Sequence, residues 1–274
     1  MLKKILLLVS LFSFFFLIIF YGILFTKKFN NQEENRKILL LKNKSNIEIE
    51  NKIKKEIKNI DLSSAKKVEF FYWPENFGKK TKKLKNILTD IINSKKFKDK
   101  VSNIKIELHK EKDDVRGNMK NKKIKLFGVM NIPKGEIISV FIHELGHYID
   151  LYYFINYQKI NDTSNNFYNI SWKNYKTIKK GEEIKDFVSG YAMSNKYEDF
   201  AESFTYYILH NKDFLYKTKN SKSLERKYNF FNLYLFKNNS FKGEDYSKGE
   251  IKPYYWDITK IDISLENFLQ YIKK

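Results

Sequence analysis

Hydrophobic positions change their spacing several times along the chain. Residues 5–25 form an uncharged run of 21 positions between Lys3-Lys4 and Thr26-Lys27-Lys28. As a helix, that run covers about 30 Å of hydrocarbon. It exceeds the apolar core of an ordinary signal peptide, and its exit, Tyr21-Gly22-Ile23-Leu24-Phe25, has no small-residue cleavage pattern. The expectation is an N-terminal hydrophobic helix that stays as a membrane anchor, with a cleaved export signal as the alternative. Lys3 and Lys4 favour an inside N-terminus, whereas the lysines after Phe25 pull the other way. Long C-terminal domains translocate largely regardless of charge. A single-pass cell-membrane protein with its main domain outside the cytoplasm is therefore expected, and secretion is the alternative.

Residues 29–66 are rich in Lys, Glu and Asn and read as a solvated stalk, with helix over 47–60 as a lesser reading. The folded domain is expected over 67–274. Residues 68–73 (Val-Glu-Phe-Phe-Tyr-Trp) read as a buried strand stopped by Pro74. Leu84, Ile87, Leu88 and Ile91 have helical spacing over 82–92. Residues 104–108 alternate as a half-exposed strand, and 124–130 read as another strand before a turn over 131–135. A long, almost wholly apolar helix is predicted over 136–154. A polar, aromatic-dotted loop region over 156–190 follows, then helices over 197–210 and 223–236. Strands grouped before helices give an α+β class.

Composition narrows the chemistry. Lys and Arg number 52 against 32 Asp and Glu, a formal charge of +20. Only Arg36, Arg116 and Arg226 are arginines. Nucleic-acid readers favour arginine for bidentate contacts, so no specific nucleic-acid partner is expected. A solvated basic surface is the plain reading, and attraction to an anionic membrane or cell wall the next. An aromatic fraction of 17% excludes a disordered chain. The absence of cysteine excludes a disulfide scaffold, a Cys-ligated zinc site, a cysteine protease and lipidation at an N-terminal cysteine.

The long helix carries His143-Glu144-Leu145-Gly146-His147, an H-E-x-x-H. Positions i and i+4 share a helical face, so both imidazoles can reach one ion. Glu144 sits where a carboxylate can act as general base toward a zinc-activated water. Two imidazoles and an oxygen suit one Zn²⁺ per chain with an open position for catalysis. The third ligand is expected from Glu198 or Glu202, which also lie at i and i+4. Asn195 looks like a helix N-cap, with Glu198 at the third helical position of a capping box. Spacing leaves the two glutamates even.

These residues resemble the gluzincin metallopeptidases related to the anthrax lethal factor catalytic domain and the Pro-Pro endopeptidases. The matching pieces are His143-Glu144-Leu145-Gly146-His147 with Asp150, then Tyr191, Asn195, Glu198, Phe200-Ala201 and Glu202. The resemblance implies a zincin-like domain with a small mixed sheet, an active-site helix bearing the motif and a second helix bearing the glutamate ligand. It implies Glu198 as third zinc ligand and Glu202 as the carboxylate orienting a ligating histidine. Tyr191, seven residues before Glu198, is implied as the catalytic phenol that donates to the developing oxyanion.

The function expected is a zinc metalloendopeptidase that cleaves extracellular or surface proteins, taking its protein or peptide substrate in extended form. The strand over 124–130 is expected to be the sheet edge that pairs with substrate, with Gly128 allowing close approach. The alternatives are a gluzincin of another type acting on membrane or cell-wall-linked substrates, and a non-enzymatic basic, aromatic binding module. His109 and His210 are read as ordinary, His210 serving as a cation at a helix C-terminus.

Overall fold

A computed structural model describes residues 68–73, 78–154, 162–237 and 240–274. The readings for the N-terminal run, the stalk and a helix over 47–60 lie outside the described residues. No described helix is long and apolar enough to cross a membrane.

Four strands form one mixed sheet in the order β1-β2-β4-β3: β1 (Val68–Trp73), β2 (Ile104–His109), β3 (Gly117–Lys120) and β4 (Lys123–Leu126). β1 and β2 are parallel, as are β2 and β4, while β3 runs antiparallel to β4. Period-two alternation gives the sheet its two faces. Ile104, Ile106, Leu108, Ile124 and Leu126 are buried. On the other face, Glu107 lies 3.5 Å from both Lys123 and Lys125.

Two expectations for the strands need correction. β1 is half-exposed, with Phe71 43% accessible, because it is an edge strand of the sheet among the described residues. The stretch over 124–130 ends as a strand at Leu126. Gly128 has φ +64°, and its carbonyl accepts from the N–H groups of Asn131 and Ile132, so the chain turns there. β4 also lies between β2 and β3, so both of its sides are already paired. The sheet edge on that flank is β3, which the hydrophobic pattern does not show. Asn121 and Lys122 join β3 to β4 with φ of 52° and 58°, as a two-residue hairpin turn requires.

Seven α-helices accompany the sheet among the described residues: α1 (Gly78–Asn93), α2 (Lys134–Tyr148), α3 (Ser164–Ser171), α4 (Lys196–Leu209), α5 (Asn211–Lys217), α6 (Lys222–Phe230) and α7 (Leu265–Lys273). The class is α+β. α2 continues into one turn of π-helix, Ile149–Tyr153, and α6 into another, Phe231–Leu235. Leu84, Leu88 and Ile91 of α1 join Ile138, Phe141 and Leu145 of α2 in the core shared with the sheet.

α2 is apolar nearly all round, the mark of a buried helix, and α4 is buried from Asp199 to Leu209. Gly146 sets how closely they pack. A Cβ there would lie 3.0 Å from the Ala201 Cα and 3.1 Å from the Phe204 ring. This close crossing brings the carboxylates of α4 to the histidines of α2. Behind it, Lys227 of α6 is fully buried, 2.8 Å from Asp199 Oδ2, and it donates to the Asp186 carbonyl at 2.9 Å. The Trp172 indole N–H also donates to Asp199, at 2.8 Å. With these partners the buried pair is hydrogen-bonded, the condition under which such a pair is tolerated.

Candidate metal centre and catalytic site

α2 presents His143, Glu144 and His147 over consecutive turns, and α4 presents Glu198 and Glu202 against them. Asn195 caps α4, its side-chain oxygen accepting from Tyr197 N at 2.9 Å and Glu198 N at 3.2 Å. The cap is as read from the sequence, but the Glu198 carboxylate does not turn back to complete a capping box. Its Oε2 lies 3.2 Å from His143 Nε2 and 3.3 Å from His147 Nε2. The two imidazoles stand nearly perpendicular, at 82°, with centroids 4.9 Å apart.

One ligand atom each from His143, His147 and Glu198 falls within 4.8 Å of the others. Glu198 Oε2 is buried and has no hydrogen-bond partner among the described residues. Burial alone would raise the Glu198 pKa, but the two imidazoles hold it well below the usual carboxylate range. The carboxylate is therefore charged, and its Oε2 lies between two ring nitrogens without hydrogen-bond geometry to either. Two imidazole nitrogens and one carboxylate oxygen suit zinc with a fourth position open.

Glu202 faces the same histidine from behind. It is fully buried. Its Oε1 lies 2.9 Å from His143 Nδ1, and its Oε2 accepts from Ser189 Oγ at 2.6 Å and from the Ile258 N–H at 3.0 Å. A carboxylate can only accept, so Nδ1 carries the proton and Nε2 is directed toward Glu198 and the ion position.

A cleft of about 330 Å³ opens beside these groups. Val140, His143 and Glu144 form one wall, Arg116 and Gly117 a second, and Tyr191 and Asp257 a third. Burial pushes the Glu144 pKa up. Burial, with Glu198 and Glu144 nearby, pushes the Tyr191 pKa up to about 12, so the phenol keeps its proton at neutral pH. Its ring centroid is 6.1 Å from that of His143.

The family described as "Putative zinc-binding metallo-peptidase" matches residues 99–264, more than half of the chain. The chain belongs to this zinc-binding metallo-peptidase family. No curated protein and no solved structure matches it.

Within the metallo-peptidase cleft, several residues escape a reading of the sequence. The guanidinium of Arg116 donates to Glu136 Oε1 at 2.8 Å and to Asp257 Oδ2, tying β3, the start of α2 and the segment after Trp256 together. Gly117 lies against the Glu144 side chain. Ser189 and the Ile258 amide complete the partners of Glu202. All are long-range contacts, and only the rarity of arginine in this lysine-rich chain could have singled out Arg116.

Asp150 is buried and accepts from the Tyr168 hydroxyl at 2.5 Å; burial pushes its pKa up to about 6. His210 needs correction. It is fully buried rather than a surface cation, and burial lowers its pKa to about 3, so it is neutral. Its Nδ1 lies 2.7 Å from Ser247 Oγ.

Proposed function

We propose that the chain is a zinc-dependent endopeptidase of the gluzincin kind, resembling the anthrax lethal factor catalytic domain and the Pro-Pro endopeptidases. The observation that carries this is the convergence of ligand atoms from His143, His147 and Glu198 within 4.8 Å of one another, with Glu144 next to the first of them on the same helix. His143, His147 and Glu198 would hold the ion. A bound zinc ion supplies Lewis-acid polarisation of the scissile carbonyl and acidifies water.

The protein's own groups do the rest. Glu144, its pKa raised by burial, takes the proton of the attacking water and delivers it to the leaving amine. Tyr191 remains a donor at neutral pH and hydrogen-bonds the oxyanion as it develops. Glu202 fixes the His143 tautomer. An extended substrate pairs with the outer edge of β3, which has no strand partner among the described residues. Gly117 leaves room there for Glu144. We place the domain outside the cytoplasm, held by an anchor over residues 5–25, and acting on surface or extracellular proteins.

The test uses the full chain in detergent. Wild type should carry one zinc per chain and cleave a peptide library. Glu144→Gln should keep the zinc and lose turnover. His143→Ala should lose the zinc. Wild-type protein without stoichiometric zinc, or Glu144→Gln protein with full turnover, would remove the reading. External protease on intact cells should degrade the domain; protection until lysis would place it in the cytoplasm.

A further inference from the structure

We infer that the large groove between residues 184–188, α5 and residues 249–254 receives the part of a polypeptide substrate several residues away from the cleaved bond. We further infer that it selects a stretch carrying large apolar side chains. This rests on the peptidase reading above and adds a substrate class to it.

A cavity larger than the catalytic cleft lies outside it. The groove holds about 960 Å³, against about 330 Å³ beside Glu144. The cleft suits a side chain or two, while the groove is large enough for several residues.

The two are joined along the chain. Gly190 N donates to Tyr255 O at 3.0 Å, and Tyr191 N donates to Trp256 O at 2.6 Å. These paired segments therefore run from the groove to the site. Tyr254 lines the groove and Asp257 lines the cleft. Tyr254 and Asp257 are three steps apart along the chain, at most about 10 Å at about 3.3 Å per step. A substrate lying extended through the cleft would reach the groove about three residues from the scissile bond.

The surface between them is apolar and exposed. Trp256 is 64% accessible and Tyr254 48%. Both rings lie over Gly190, where a Cβ would meet Tyr254 Oη at 2.0 Å and Trp256 Cε3 at 2.5 Å. Ile184 and Tyr216, which also line the groove, are 60% and 61% accessible. Large apolar side chains exposed together around one groove mark a binding surface, and aromatic rings supply contact area with little rotamer entropy to lose.

Charge does not decide within that surface. Asp213 is held by Lys217 at 3.5 Å and by the Tyr206 hydroxyl. Lys212 and Lys252 form no ion pair among the described residues, and Asp245 and Glu250 stand against them, so the groove's charges balance. The exposed apolar side chains therefore carry the selection. Continuity with the cleft favours a polypeptide over the other partner of exposed aromatic rings, a cell-wall polysaccharide.

The experiment uses the full chain, a cleavable hexapeptide taken from a random library, and the same hexapeptide extended by Leu-Ser-Phe-Ser-Leu at either end. The quantity read is the ratio of kcat/KM for extended over short peptide. One of the two extensions should give a ratio of at least about 10, mainly through KM, as added remote contacts do. Tyr216→Ala and Ile184→Ser should bring that ratio close to 1, and a Gly-Ser-Gly-Ser-Gly extension should gain less. Affinities of the same peptides for the Glu144→Gln chain, measured by fluorescence anisotropy, should follow the same order. That arm needs no turnover, so it decides the groove even if hydrolysis fails. Ratios near 1 for both extensions in rate and affinity would overturn the inference. So would a gain that survives both substitutions, or a Tyr216→Ala chain whose sole loss is binding to isolated cell-wall polysaccharide.

Discussion

Gly117→Ala tests the catalytic geometry with one methyl group. An added Cβ would stand 2.6 Å from Glu144 Oε1, 2.7 Å from Val140 Cγ1 and 2.8 Å from Glu144 Cγ. Ordinary contact begins near 3.4 Å, so about 0.8 Å must be found on the Glu144 side. Glu144 and Val140 belong to α2, whose residues from Ile137 to Gly146 are all buried, and that helix cannot retreat without disturbing the core. Either the Glu144 side chain swings away, or β3 moves outward along its unpaired edge. Both displace the base from the reacting water. A misplacement near 1 Å costs on the order of 100-fold in rate, and overpacking costs about 1–3 kcal/mol in stability. The assay pairs turnover with zinc content and a urea melt. Turnover should fall about 100-fold while zinc stays stoichiometric, since no ligand is touched. Adding Val140→Ala relieves the methyl contact, so it should recover part of the stability but not the rate. Wild-type kcat in Gly117→Ala would mean that Glu144 has slack, and would refute the claim that β3 positions the base.

Three further outcomes are expected. Glu198→Ala should abolish zinc binding, whereas Glu202→Ala should weaken it about 10–100-fold; the reverse order in a metal titration would exchange their roles. Tyr191→Phe should lower kcat about 100-fold or more, as loss of one oxyanion donor does, with KM and zinc content little changed; an unchanged kcat would leave the phenol without a catalytic part. The buried His210, with its pKa lowered to about 3, should make the fold acid-sensitive. An unfolded histidine takes up its proton near pH 6.5 and the folded one near 3, so stability should fall as pH drops through that window. Urea melts from pH 7 to 4 should show a shallower loss in His210→Gln, and parallel curves would disprove the assignment.

The part of the site that the sequence displays is the part built by local geometry. His143, Glu144 and His147 come together because one helix repeats every 3.6 residues, and the Asn195 cap is local for the same reason. Glu198 and Glu202 share a helix, but which one faces the ion depends on the crossing at Gly146, a contact between residues 55 apart in sequence. Spacing alone could not order them; the family resemblance did. Arg116, which reaches Asp257 141 residues away, and the Ile258 amide on Glu202 have no sequence period to announce them. The strand errors have a similar origin. An apolar run such as Val-Glu-Phe-Phe-Tyr-Trp looks the same at an edge as in the centre of a sheet. The short Gly-Asn-Met-Lys of β3 carries no apolar alternation strong enough to mark it.

Five buried side-chain atoms among the described residues lack a hydrogen-bond partner, and comparing them isolates the metal centre. Glu107 Oε2 and His109 Nε2 sit together on the outer sheet face, where Lys123 and Lys125 supply charge at 3.5 Å from the carboxylate. His210 avoids the cost by staying neutral, as its lowered pKa shows. Asp150 reduces its own cost in the same way, its pKa raised to about 6 so that the charged form is disfavoured. In each of these, a neighbouring charge or a shift toward the neutral form offsets burial. For Glu198 the neighbours are His143 and His147, whose ring nitrogens lie at 3.2 and 3.3 Å and hold its pKa down. What sets Glu198 apart is its place: Oε2 faces two imidazoles without hydrogen-bond geometry to either, in a group able to hold a metal ion. A fold that satisfies Glu202 with three partners and Asp199 with a lysine and an indole has the means to satisfy a carboxylate. Leaving this one open, between two imidazoles and next to a buried base, is what a site for a cation requires.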